Sequence, residues 1–170
     1  MGNETSIEYR KPVDKDLEGL FELWWEMHQE HLAYEPMRYG LQPKPECRRI
    51  CLEKFRARMA DPNWVIVVAA VDGHPVGMLM GSMGGRPPTL NQFKVLSIDN
   101  VAVAEKWRRK GILRQLMDLA TAEAVSRGAT CVDIVYVEVA NTTATQAYER
   151  LGFTSREVTL SKYIGGSPCL

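Results

Sequence analysis

Between Val101 and Met117 the chain reads VAVAEKWRRKGILRQLM, and no other stretch narrows the fold as far. An apolar strand ends, a basic turn Arg108-Arg109-Lys110-Gly111 follows, and an amphipathic helix begins at once. The helical positions Leu113, Leu116, Met117, Ala120 and Ala124 form one apolar face, and Gly128 closes the helix as a C-cap. Cys131 to Val137 then reads as another strand. Strand, helix and strand in that order make a βαβ crossover, which puts parallel strands into the sheet.

The flanking segments predict a mixed sheet around that unit. Ile7 to Arg10 is a first strand, ended by Pro12, with Asp14 as the N-cap of a helix. Leu17, Leu20, Phe21, Trp24, Met27, His28 and Leu32 recur at helical spacing behind it. Tyr34 to Pro45 is broken by prolines and turn residues; a second helix follows from about Glu46 to Met59, with Ile50, Phe55 and Met59 inward. Trp64 to Val71 is a buried strand, Asp72-Gly73 a hairpin turn, and Pro75 to Ser82 its partner. Gly84 to Gln92 is a loop and Leu96 to Val103 the next strand. Asn141 caps a short helix, and Phe153 to Leu160 reads as a last strand. The expected class is α/β, a central mixed sheet with helices on both faces.

Bulk properties exclude several functions. The 170 residues fit a single domain spanning 1–170, enough for a real core. Lys+Arg and Asp+Glu are both 21, so the balanced charge argues against a nucleic-acid partner. Against that stands one local cluster, Arg38, Lys44, Arg48, Arg49, Lys54, Arg56 and Arg58. The start lacks a signal-peptide pattern, and the apolar run Val65 to Val71 is far too short to span a bilayer, so a cytoplasmic protein with no membrane partner is expected. Cys47, Cys51, Cys131 and Cys169 lack a zinc-site spacing, and no metal is expected.

The basic turn is a physical recipe for holding a pyrophosphate. A helix's first amides lack internal partners, its dipole makes that end positive, and glycine lets backbone approach a phosphate. A solvated surface turn would look similar. There is no GxxxxGK(S/T) and no GxGxxG, which disfavours a P-loop and a dinucleotide fold. The turn instead resembles the Q/R-x-x-G-x-G/A signature of the GNAT acetyltransferases, here Arg108-Arg109-Lys110-Gly111-Ile112-Leu113, with Leu113 standing where the family has Gly or Ala. Downstream, Asn141 to Phe153 (NTTATQAYERLGF) is similar to the family's N-x-x-A-x-x-x-Y-E-x-x-G-F segment.

The resemblance implies a GNAT-like acyl-CoA N-acyltransferase fold, with acetyl-CoA as co-substrate and no metal. Its pantetheine arm is expected along the backbone of Val101 and Val103, where two parallel strands splay. The pyrophosphate is expected on Arg108, Arg109, Lys110, Gly111, Leu113 and Arg114, although Arg114 also reads as a plain exposed helix residue. Asn141 is expected to bond the cofactor arm, to cap the helix, or both. Tyr148 matches the residue that protonates the departing thiolate; its alternative is a ring packed on the sheet. No cysteine is placed for a covalent acetyl-enzyme.

An ammonium with a pKa of about 10 must lose its proton before its nitrogen attacks. Asp99, two residues before Val101, and Glu138, just past the neighbouring strand, are the candidate bases. Asp99 reads equally as a bulge or turn hydrogen-bonder. An N–H of Val101 or Val103 is the expected oxyanion donor. The acceptor walls implied by the resemblance are Trp24, Trp25, His28, His31, Tyr34 and Glu35, together with Gly84 to Phe93; the two histidines read as structural. The acceptor is expected to be a small amine, with a protein N-terminus or lysine, or a non-catalytic CoA-binding sensor, as alternatives. The C-terminal strand and the tail Ser161 to Leu170 offer an edge for a homodimer.

Overall fold

The computed structural model describes residues 6–161. In chain order the elements are β1 (Glu8–Arg10), α1 (Leu17–Leu32), α2 (Pro36–Tyr39), α3 (Lys44–Ala60), β2 (Trp64–Val71), β3 (His74–Gly85), β4 (Lys94–Val103), α4 (Ile112–Ser126), β5 (Ala129–Ile134) and α5 (Thr142–Glu149). The strands form one sheet in the order β1-β2-β3-β4-β5. Every neighbouring pair is antiparallel except β4 and β5, which the α4 crossover makes parallel.

Two cores sandwich the sheet. On one face Val65, Val67, Leu79, Leu96 and Ile98 pack against Ile112, Leu116 and Ala120 of α4. On the other, Ile66, Val68, Met78, Met80 and Ala102 meet Leu20 and Phe21 of α1 and Phe55 of α3. That is why Trp64–Val71 is apolar without alternation: both its faces are covered. Asp72 and Gly73, with φ of 49° and 77°, make the tight hairpin their sequence predicts.

Four expectations need correction. Asp14 starts a short 3-10 turn and does not cap α1; Asp16, fully buried, accepts from the two terminal guanidinium nitrogens of Arg10 at 2.5 and 3.0 Å and from the Val13 N–H at 2.8 Å. Ile50 is 45% exposed, because the buried stripe of α3 runs through Cys47, Cys51, Leu52, Phe55 and Arg58. The strand expected to reach Val137 ends at Ile134. Finally, residues 153–161 form no strand. Phe153 packs on the core, while Val158 and Leu160 are exposed, so no apolar face holds that segment in a ladder. The tail from residue 162 lies outside the described residues. No described helix is long and apolar enough to cross a membrane.

Candidate active site

A β-bulge in β4 makes the site. Met80 pairs with Asn100 but Gly81 with Ile98, so Asp99 is the extra residue. The bulge shifts the pleat: Leu96 and Ile98 face α4 before it, Val101 and Val103 face α4 after it, and Ala102 faces α1. Gly81 permits this crossing, since a Cβ there would meet the Ser97 carbonyl at 2.9 Å and the Ile98 Cα at 3.1 Å. The ladder to β5 ends at the same point, with Val135 N–H donating to the Ile98 carbonyl at 2.9 Å. Beyond it the two chains part, and Tyr136 turns away in the left-handed region with φ of 62°.

This leaves a strand edge free inside the protein. Ala104 N–H donates to Val76 on the β3 side, so alternation points the amides and carbonyls of Val101 and Val103 into the gap. The Val103 carbonyl already accepts from Arg108 Nε at 3.0 Å. A cavity of about 1120 Å³ opens there, lined by β4, α4, α5 and the 134–138 segment, with α1 and α2 opposite.

At one end lies the basic turn. Arg109 and Gly111 adopt φ of 63° and 79°, which bends the chain sharply into α4. No side chain caps α4, so its first amides are available at a positive helix end. Gly111, Leu113, Arg109 and Arg114 line the cavity, both arginines being exposed. Arg108 lines it too, but its guanidinium is held by Glu30 and approaches Glu26 at 3.5 Å. Lys110 is the expected phosphate group that does not line the cavity; its ammonium sits 4.6 Å over the Trp107 ring.

Asn141, Tyr148, Asp99 and Glu138 all line the same cavity. Asn141 Oδ1 accepts from Ala144 N–H at 3.0 Å, capping α5 and leaving its amide nitrogen free for another acceptor. The Tyr148 ring stands edge-on to Phe153, and burial pushes its hydroxyl up to about 12. Both Asp99 oxygens are engaged: Arg58 donates to them at 3.2 and 2.6 Å, and Asn100 adds a 2.8 Å bond. Among the described residues the Glu138 carboxylate instead accepts only from the Tyr39 hydroxyl, at 3.3 Å. Desolvation and this carboxylate keep the Tyr39 hydroxyl above its usual range.

The opposite wall differs from the sequence expectation. Trp24, His28 and His31 reach the cavity, whereas Trp25, Tyr34, Glu35 and the Gly84 to Phe93 loop do not. Trp25 packs by Phe21 under Lys44. Arg38, Tyr39, Gly40 and Leu41 take the vacant places, carried there by the proline-started turn of α2. The His28 ring lies tilted over Trp24, with centroids 3.9 Å apart, and burial holds its imidazole below the ordinary value. Sequence reasoning also missed Arg58, although its place on the stripe of Cys47, Cys51 and Phe55 marked it as inward. The basic cluster around it is largely compensated: Lys44 pairs with Glu22, Arg48 with Glu18, and Arg49 with Glu46 and Glu53. Among the described residues, no group of three or more His, Cys, Asp or Glu is arranged to hold a metal.

Comparison with known proteins bears on fold and family. A Bacillus halodurans protein, crystallised as a tetramutant, superposes with a TM-score of 0.78 at 17% identity, over 92% of this chain and 99% of its own. The aminoglycoside N-acetyltransferase AAC(6')-Iy, solved in complex with CoA, gives 0.73 at 16% identity, over 96% and 98% of the two chains. A possible acetyltransferase from Clostridium difficile 630 gives 0.70 at 21%, over 94% and 97%. No curated protein matches the sequence. At such identities these structures share the fold with this chain and establish nothing finer. The model of the acetyltransferase (GNAT) family matches residues 17–153, the span that holds the bulge, the basic turn and α5 with its Asn141 cap, and the chain therefore belongs to the GNAT acetyltransferase family.

Proposed function

We propose that the protein transfers an acetyl group from acetyl-CoA to a small primary amine, by direct attack within a ternary complex, as a single cytoplasmic domain. One observation carries this reading: a single cavity runs from the uncapped first turn of α4, along the free edge of Val101 and Val103, to Tyr148 and Glu138. The pyrophosphate belongs at the α4 start with Arg109 and Arg114, and the pantetheine arm along β4. To pair there, the arm displaces Arg108 Nε from the Val103 carbonyl. Asn141 offers its free amide nitrogen to the arm.

The amine nitrogen attacks the thioester carbonyl carbon, forming C–N and pushing the π pair onto oxygen. An N–H of Val101 or Val103 receives the oxyanion. The intermediate collapses and the C–S bond breaks; of the two protons an ammonium gives up on becoming an amide, the first leaves before attack through the base to solvent, and the second ends on sulfur. Tyr148 donates to the departing thiolate. Because its hydroxyl is held near 12 and a thiol titrates at about 8.5, it acts chiefly as a hydrogen-bond donor that stays protonated. Glu138 is the favoured acceptor for the ammonium proton, since among the described residues its carboxylate meets only a phenol. Asp99, committed to Arg58 and Asn100, serves to hold the bulge.

The Tyr39–Glu138 contact bridges the two walls of the cleft. It favours an enclosed small acceptor over the open groove a peptide requires. Release of free thiol from acetyl-CoA over an amine panel tests the reading. Turnover by the wild type and a fall of about 100-fold in kcat for Tyr148→Phe is the expected result; equal rates would remove Tyr148 from the mechanism.

A further inference from the structure

The acceptor end of the cavity is poor in free negative charge. Four carboxylates line the cavity, those of Glu26, Glu30, Asp99 and Glu138. Arg58 neutralises Asp99 with two hydrogen bonds, at 3.2 and 2.6 Å. Arg108 takes up Glu30 and lies 3.5 Å from Glu26. Among the described residues Glu138 alone of these four pairs with no cation; its partner is the Tyr39 hydroxyl. The same cavity is lined by Arg38 and Arg150 as well, besides the Arg109 and Arg114 assigned to the pyrophosphate. A polyamine or aminoglycoside brings three or more ammonium groups, and each one drawn from water needs a carboxylate partner. Here the first would find Glu138 and the rest would find paired acids and arginines.

The remaining surface at that end suits an apolar body. Trp24, Met27, Leu41 and Tyr39 line it, together with the rings of His28 and His31. Each imidazole has Nδ1 against a helix carbonyl, His28 at 2.9 Å from Trp24 and His31 at 2.7 Å from Met27. A carbonyl only accepts, so Nδ1 carries the proton and, in the neutral ring, Nε2 keeps its lone pair. Burial favours the neutral form of His28. The wall is therefore aromatic, with a hydrogen-bond acceptor at His28 Nε2 and without the row of acids a polycation requires.

From this we infer that the acceptor is a monoamine with an aromatic or apolar body, its one ammonium group taken by Glu138 and its body laid against Trp24, His28 and Tyr39. The inference rests on the acetyl-transfer reading and names its substrate class. It separates this chain from the aminoglycoside acetyltransferases whose fold it shares.

The test measures thiol release from acetyl-CoA by the full chain with phenethylamine, tyramine and tryptamine, against spermidine and kanamycin, with CoA binding followed by calorimetry in parallel. The expected result is turnover of the aryl-alkyl monoamines with kcat/KM at least about tenfold above either polycation, a margin of about 1.4 kcal/mol in transition-state free energy. Preference for a polycation would overturn the inference and keep the acetyl-transfer reading. So would CoA binding with no turnover of any monoamine. Failure to bind CoA at all would remove both.

Discussion

A phenol packed among apolar side chains is stabilised by staying neutral, and Tyr148 shows what that means for stability. Its hydroxyl is pushed up to about 12 in the folded protein by desolvation alone, against about 10 in an unfolded chain. Between those values the folded state binds more protons than the unfolded one. The contribution is therefore complete below pH 10 and is lost as pH rises through about 12, a change of about 3 kcal/mol across the window. Chemical denaturation at pH 9 and pH 11.5 checks this: the wild type loses more stability than Tyr148→Phe, and parallel losses would show that the hydroxyl is solvated. The role of Asp99 changes at this scale too. An acid in an apolar strand signals something unusual from sequence, but its meaning depends on Arg58, 41 positions away. Only the folded chain brings the two within 2.6 Å.

Two elements decide whether a cavity exists, the bulged strand β4 and the helix α4. The strand-turn-helix pattern of α4, the Asp72-Gly73 hairpin and the Asn141 cap of α5 were legible, because each is written in adjacent residues. The bulge was legible only as one of two readings of Asp99, because a register shift is a relation between two strands. Its signature is Gly81 on the partner strand, where a Cβ would strike Ser97 O at 2.9 Å and Ile98 Cα at 3.1 Å, both backbone. Gly81→Ala must therefore push β3 and β4 apart. The expected outcome is a loss of about 1–3 kcal/mol in urea denaturation, with CoA affinity falling as the free edge of Val101 and Val103 shifts. Unchanged stability and affinity would show that the bulge does not govern the gap. The inward placement of Ile50 and the last strand failed for a related reason. Single apolar residues among polar ones, as at Val158 and Leu160, are held only if a neighbouring surface covers them.

For the whole molecule, the arrangement reads as two covered sheet faces with one deliberate defect. The antiparallel strands β1 to β4 and the α1–α3 layer build one half, and the α4–β5–α5 unit is held to it by the packing of α4 on β2, β3 and β4 and by a parallel ladder that stops at Ile98. The family was legible in the sequence, carried by Arg108 to Leu113 and Asn141 to Phe153, and most of the proposed cofactor residues line the cavity. The acceptor end was not legible. It is assembled from α1, the four-residue α2 and the exit of β5, whose approach depends on tertiary packing rather than on any local pattern. The central claim is that this defect is a binding site for coenzyme A, and calorimetric titration of the protein with coenzyme A tests it most directly. The account predicts saturable one-to-one binding that weakens at least about tenfold when Gly111 is replaced by valine, since a β-branched residue resists the φ of 79° that turns the chain into α4. No binding, or equal binding by the variant, would contradict it.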